Sequence, residues 1–175
     1  MAGAPIVSIE LLLDDAAAAR VQAEWQALAA AGLPSMARHN GASNRPHITL
    51  LVRSAVPSFD SSALVDRDAF PVTLGAPLLF GTGDRRILVR SVVPSEALLG
   101  LHRAVHAAAG TGDDLPHTAP DGWTPHVTLS RRLPSADVPA ALASVGGDIR
   151  GRAVALRRWD AATAAVTELG RFRRP

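Results

Sequence analysis

Two short segments of the chain carry the same pair of polar side chains. One reads Arg45-Pro46-His47-Ile48-Thr49-Leu50 and the other Thr124-Pro125-His126-Val127-Thr128-Leu129. On an extended strand, residues i and i+2 share a face. Each segment therefore presents His and Thr on one side and sends Ile48/Leu50 or Val127/Leu129 to the other. If both strands face one cleft, paired imidazoles and hydroxyls surround a single point. An imidazole titrates near pH ~6.5, so one ring can be neutral and accept a proton while its partner is charged and gives one up. Hydroxyls can donate to oxygens on which negative charge accumulates. Proton transfer at a phosphate ester is the chemistry that His47, Thr49, His126 and Thr128 suit, and it requires neither a metal nor an organic cofactor.

The elements around the motifs repeat. Ile6–Leu13 reads as a strand, Ala16–Ala31 as a helix capped by Asp14 or Asp15 and stopped by Gly32, and Pro34–Asn44 as a polar loop. His47–Val52 is the first motif strand, Ser61–Arg67 a short helix, and Phe70–Leu74 with Pro77–Phe80 a strand broken near Gly75. The second round comprises a strand Ile87–Val93, a helix Ser95–Ala109 between Ser95 as N-cap and Gly110 as stop, and a loop Thr111–Gly122. It continues with the motif strand His126–Ser130, a helix Ala136–Val145, and two closing strands, Ile149–Trp159 and Ala164–Phe172. The motif histidines lie 79 positions apart, 126 minus 47, and the same offset carries the first strand, first helix and short helix onto their second-round counterparts. The expected fold is α+β: one bilobal domain, 1–175, of two pseudo-symmetric β-α-β-α-β lobes (about 1–82 and 83–175). Mostly antiparallel sheets would flank a central cleft with helices outside.

This arrangement resembles the 2H phosphoesterase superfamily, named for two His-x-Thr motifs, and within it the 2′-5′ RNA ligase-like, cyclic phosphodiesterase branch. The resemblance rests on Pro46-His47-Ile48-Thr49-Leu50-Leu51, on Pro125-His126-Val127-Thr128-Leu129-Ser130-Arg131, and on the order of elements, and it covers nearly the whole chain. It implies a phosphodiesterase acting on 2′,3′-cyclic phosphate or 2′-5′ linkages, with His126 as the base that activates water, His47 as the acid, and the Thr hydroxyls on the phosphate. A cyclic phosphate would open to a 2′-phosphomonoester, and the reverse reaction would make a 2′-5′ linkage. The implied partner is a nucleotide or an RNA with a cyclic phosphate end. The alternatives are a non-catalytic nucleotide- or RNA-binding module of the same fold, and a 2H esterase with a specialised non-RNA substrate. The second alternative draws on Leu51-Val52-Arg53, which stand where many relatives carry an aromatic.

Candidate substrate-binding residues surround the motifs. Arg45 shares phase with His47, and Thr124 and Ser130 share phase with His126. Arg131 matches a position where the family often has Arg, but strict alternation puts it on the face opposite His126, so it needs a bulge or a strand end. Arg53 is expected on the solvated surface. Trp123 could stack on a base, and wedging between the lobes is the favoured expectation. His102 and His106, four apart on a helix, read as a solvated face without a third metal ligand. His117 and His39 lie in loops and carry less weight, and Arg171-Phe172-Arg173-Arg174 reads as a solvated tail.

Composition sets the limits. The chain has 175 residues, 47% of them hydrophobic, and a net charge of +2, so a packed core is expected and a strong field toward polyanions is not. All 18 basic residues other than His are Arg, whose fork of donors suits phosphate. The absence of Cys excludes disulfides and thiolate metal sites. The apolar start Ile6–Leu13 is interrupted by Glu10 and lacks a basic leader, and no apolar run is long enough for a bilayer. A cytoplasmic monomer without membrane contact is the expectation.

Overall fold

The computed structural model describes residues 5–39, 41 and 43–174. Residues 40 and 42 of the expected polar loop lie outside the described residues. Strands β1 (Val7–Leu13), β2 (His47–Arg53), β3 (Phe70–Phe80), β4 (Arg85–Val92), β5 (His126–Pro134), β6 (Ile149–Asp160) and β7 (Ala165–Arg171) form one antiparallel sheet. The helices are α1 (Asp15–Ala30), α2 (Ser62–Val65), α3 (Glu96–Ala109) and α4 (Val138–Ala143). The fold is α+β, as expected. Asp14 Oδ1 accepts from the Ala17 amide at 2.9 Å to start α1, and Ser95 Oγ accepts from the Leu98 amide at 3.3 Å to start α3. Gly110 ends α3 at φ 68°, a left-handed conformation that glycine adopts without a Cβ clash.

The strand order β2-β1-β6-β3-β4-β5 is palindromic under the 79-residue offset that separates His47 from His126. It exchanges β1 with β4, β2 with β5, and β3 with β6. The pairs joining the halves run Phe70↔Ala153, Val72↔Gly151 and Leu74↔Ile149, and the offset maps Val72 onto Gly151. The pseudo-twofold therefore passes through the Val72–Gly151 pair, and the sheets of the two lobes join there. β7 pairs with β6 outside this order and has no counterpart. The terminal strands β2 and β5 approach each other, α1 packs on β5 and β6, and α3 packs on β2.

β1 is buried along its whole length, and Ile48, Leu50, Val127 and Leu129 are fully buried behind the motifs. Each such side chain contributes about 1.5–3 kcal/mol relative to exposure, so the motif strands are anchored by their back faces. Several expectations need correction. The break near Gly75 is a register shift inside a continuous β3, between Leu74 and Pro77. The helix expected over Ala136–Val145 is a 3₁₀ turn, Ser135–Asp137, followed by the shorter α4, with Pro139 in its first turn. The C-terminal arginines are exposed, as expected, but the segment is tethered: Phe172 is buried and stacks on Phe70 at 5.9 Å, and Arg173 pairs with Asp66 and Asp68. Among the described residues no helix is long and apolar enough to cross a membrane.

Candidate active site

A cleft of about 890 Å³ opens between the motif strands, and His47, Thr49, His126 and Thr128 all line it. The two rings are held identically. His47 Nδ1 lies 2.7 Å from the carbonyl oxygen of Arg45, and His126 Nδ1 lies 2.7 Å from that of Thr124. A carbonyl only accepts, so each Nδ1 carries the hydrogen and each Nε2 is the free valence. A neutral ring then offers a bare Nε2 as acceptor, and a charged ring offers Nε2–H as donor. Pro46 and Pro125 precede the strands and contribute no amide hydrogen to the ladder.

Around this matched pair the two lobes differ. Glu10 pairs in register with Thr49 and with Arg157. Their counterparts in the other lobe are Val89, paired in register with Thr128 and Leu78. Likewise Ser8 and Trp159 stand where the second lobe has Ile87 and Phe80. His47 Nε2 therefore lies 3.6 Å from Glu10 Oε1, while His126 meets the edge of Phe80 at 4.9 Å between ring centres. Burial holds the His126 imidazole below its ordinary value. The Thr124 carbonyl opposes that shift, and the charges of His117, His47 and Arg131 reinforce it.

Arg45, Thr124 and Arg131 line the cleft. Arg45 also stands 3.5 Å from Asp15, at the surface. Ser130 does not line it: its side chain is fully buried and its Oγ has no hydrogen-bond partner. The reason is a bulge. Leu88 pairs with Ser130 but Val89 pairs with Thr128, so Leu129 is the extra residue and the alternation inverts after it. The same inversion brings Arg131 round to the cleft.

Arg53 is buried rather than solvated. Its Nε donates to Asp114 Oδ1 at 2.7 Å, and its terminal nitrogens donate to the carbonyls of Ala109 and Gly110 at the end of α3. His102 and His106 are likewise buried, against Thr118 O at 2.9 Å and Leu50 O at 3.1 Å. Trp123 is the wedge and not a platform: it stacks on His102 at 4.0 Å, and its Nε1 donates to Thr49 O. Sequence reasoning gave His117 and His39 little weight, yet both line the cleft, and it passed over Glu10, Arg157, Trp159 and Phe80. The offset sets Glu10 against Val89 and Arg157 against Leu78, unlike residues beside like motifs, and pairs Trp159 with Phe80, an aromatic in each half. Among the described residues no cluster of three or more His, Cys, Asp or Glu could hold a metal ion.

A profile of the 2′-5′ RNA ligase superfamily matches residues 13–174. The chain belongs to that superfamily, one of the 2H phosphoesterase families. No curated protein matches the chain. Among solved structures, LigT of E. coli complexed with 3′-AMP superposes with a TM-score of 0.60 at 18% identity, over 96% of this chain and 97% of LigT. A phosphoesterase crystal structure superposes with a TM-score of 0.56 at 16% identity, over 97% of this chain and 95% of the other. Usb1 of Kluyveromyces marxianus with uridine monophosphate gives 0.51 at 14% identity, over 94% and 97%. At these identities the likeness is one of fold.

Proposed function

We propose that this 2H phosphoesterase-family protein is a phosphodiesterase that opens 2′,3′-cyclic phosphates, or cleaves 2′-5′ phosphodiesters, by general acid–base catalysis. The observation that carries the proposal is the pair of identical Nδ1–carbonyl clamps, which leave two free Nε2 atoms in one cleft. His126, held below its ordinary value by burial, is the base. It takes a proton from water as the water oxygen attacks phosphorus. His47, beside the Glu10 carboxylate, is the acid. It gives its Nε2 proton to the ribose oxygen as the P–O bond breaks. The product is a phosphomonoester, 2′ if the P–O3′ bond is the one broken. His126 ends charged and His47 neutral, and exchange with solvent resets both. Thr49, Thr128 and Arg131 hold the non-bridging oxygens, with Thr124 and Arg45 at the rim. No step needs a metal. If a 5′-hydroxyl replaces water, the same steps make a 2′-5′ linkage, and water outcompetes it unless RNA ends are held together. That solved relatives of the same fold were captured with 3′-AMP and with uridine monophosphate supports a nucleotide as substrate.

The test is turnover of 2′,3′-cyclic nucleotides and 2′-5′ dinucleotides with chelator present. His47→Ala and His126→Ala should each lose roughly 10²–10⁴-fold while remaining folded. Retained turnover in either variant removes that ring from the mechanism.

A further inference from the structure

The motif residues are symmetric, but the residues next to them are not. Glu10 occupies on β1 the place that Val89 occupies on β4. Its carboxylate is buried and held from two sides: Arg157 Nε donates to Oε2 at 2.6 Å and Ser8 Oγ donates to Oε1 at 2.8 Å. The oxygen that accepts from Ser8 is the one 3.6 Å from His47 Nε2. Among the described residues that line the cleft, Glu10 is the only carboxylate. The other charged or titratable groups that line the cleft with His47 are Arg157 on β6, His126 and Arg131 on β5, His117 in the loop before β5, Arg45 beside it, and His39 in the loop before β2. All of these are cationic or become so. An anion at ion-pair distance favours the proton-bearing ring, and cations oppose it.

We infer that Glu10, clamped by Arg157 and Ser8, is the positioning residue that keeps the proton on His47 Nε2 and so decides which lobe supplies the acid. The inference rests on the acid–base reading above. Glu10 acts through His47 and touches no reacting atom. The second lobe builds the same register with Val89 and Leu78 in place of the Glu10–Arg157 pair. Apolar replacement of a buried ion pair is often neutral for stability.

That equivalence supplies the variants. Glu10→Gln removes the charge and keeps an acceptor for Arg157. The double variant E10V/R157L copies the apolar pair of the second lobe and guards against misfolding from an unpaired Arg157. Each is assayed on a 2′,3′-cyclic nucleotide, whose departing alkoxide needs a proton, and on bis(p-nitrophenyl) phosphate, whose phenolate leaves without one. Both variants should lose more on the cyclic nucleotide than on the aryl ester. The excess should be at least about 10-fold and at most the roughly 10²–10⁴-fold that a general acid supplies. His47→Ala should show the same skew, and His126→Ala should lose both activities. Equal losses on the two esters, or none, would overturn the inference and leave the acid–base reading standing. If the wild type turns over neither ester, the reading fails. The ¹⁵N shifts of the His47 ring at one near-neutral pH then decide the inference alone: less protonated Nε2 in both variants supports it, and an unchanged ring sinks it.

Discussion

The indole of Trp123 donates to the carbonyl of Thr49 at 3.0 Å, tying the loop before the second motif to the first motif strand. A second bond, from Trp25 Nε1 to Thr128 O at 3.0 Å, runs the other way, from α1 to β5. The 79-residue offset does not relate these two tryptophans, since it places Ala104 opposite Trp25 and Asn44 opposite Trp123. Each motif strand is therefore braced from the opposite half by a donor of separate origin. β2 and β5 end the strand order, and capping of edge groups by side chains also protects them from pairing with other chains.

Trp123→Phe keeps the stack on His102 and deletes the donor. Leaving a partly buried carbonyl unpaired should cost about 1 kcal/mol, the low end of the usual penalty, in chemical denaturation. Because the bond holds the strand that carries both His47 and Thr49, kcat should fall more than KM rises. A loss confined to stability would mean that the brace does not position the site.

The pH dependence follows from one buried histidine, His102, and one half-buried in the cleft, His126. Burial lowers the His102 and His126 imidazoles from the ordinary 6.5. A lowered native value means that the unfolded chain binds protons which the native one does not, so stability rises with pH there. Folding free energy should be undiminished above 6.5 and decline as pH falls below it. For activity the sign is favourable: the base stays neutral to lower pH, so the acid limb of kcat/KM should lie below 6.5. Titration of wild type and His102→Gln by denaturation, and a rate profile, check both. An acid limb at or above 6.5 would contradict His126, held low by desolvation, as the base.

The repeat was legible because its signals are local: strand periodicity, caps at Asp14 and Ser95, glycine at 110, and His-x-Thr in the same phase twice. The misread residues share a different cause. Arg53 looks like a surface residue until Asp114 is known to lie beside it, 61 positions away in the chain. His102 and His106 face acceptors on a loop and on β2, so helical spacing alone reads them as solvated. Ser130 leaves the cleft because of one bulged residue, Leu129, the same bulge that Arg131 needs to reach it, and no local composition places that bulge at 129.

Arg53 offers a direct check on that long-range pairing. Its guanidinium satisfies the last carbonyls of α3 as well as Asp114, and a Cβ on Gly112 would press on it at 2.7 Å. Arg53→Ala should destabilise by about 2–4 kcal/mol, since it leaves buried acceptors and a partly buried carboxylate unpaired. Gly112→Ala should act in the same direction and more weakly. A surface residue would give a change near zero in thermal or chemical melts.

Gly151 is the residue through which the pseudo-twofold passes, facing Val72 across the seam. A Cβ there would collide with Ala17 Cβ on α1 and reach Asp14 Oδ2 at 3.0 Å, the oxygen that receives the Arg152 amide. Gly151→Ala should therefore cost about 1–3 kcal/mol by overpacking, against the roughly 0.5–1 kcal/mol usually gained when glycine leaves a strand. The cost should appear as faster unfolding with a cyclic-ester KM close to wild type, because the seam lies behind the cleft and Gly151 does not line it. Ala17→Gly in the same chain should relieve the clash and restore part of the stability. If the double variant is no more stable than Gly151→Ala alone, the strain does not arise from the packing of α1 on β6.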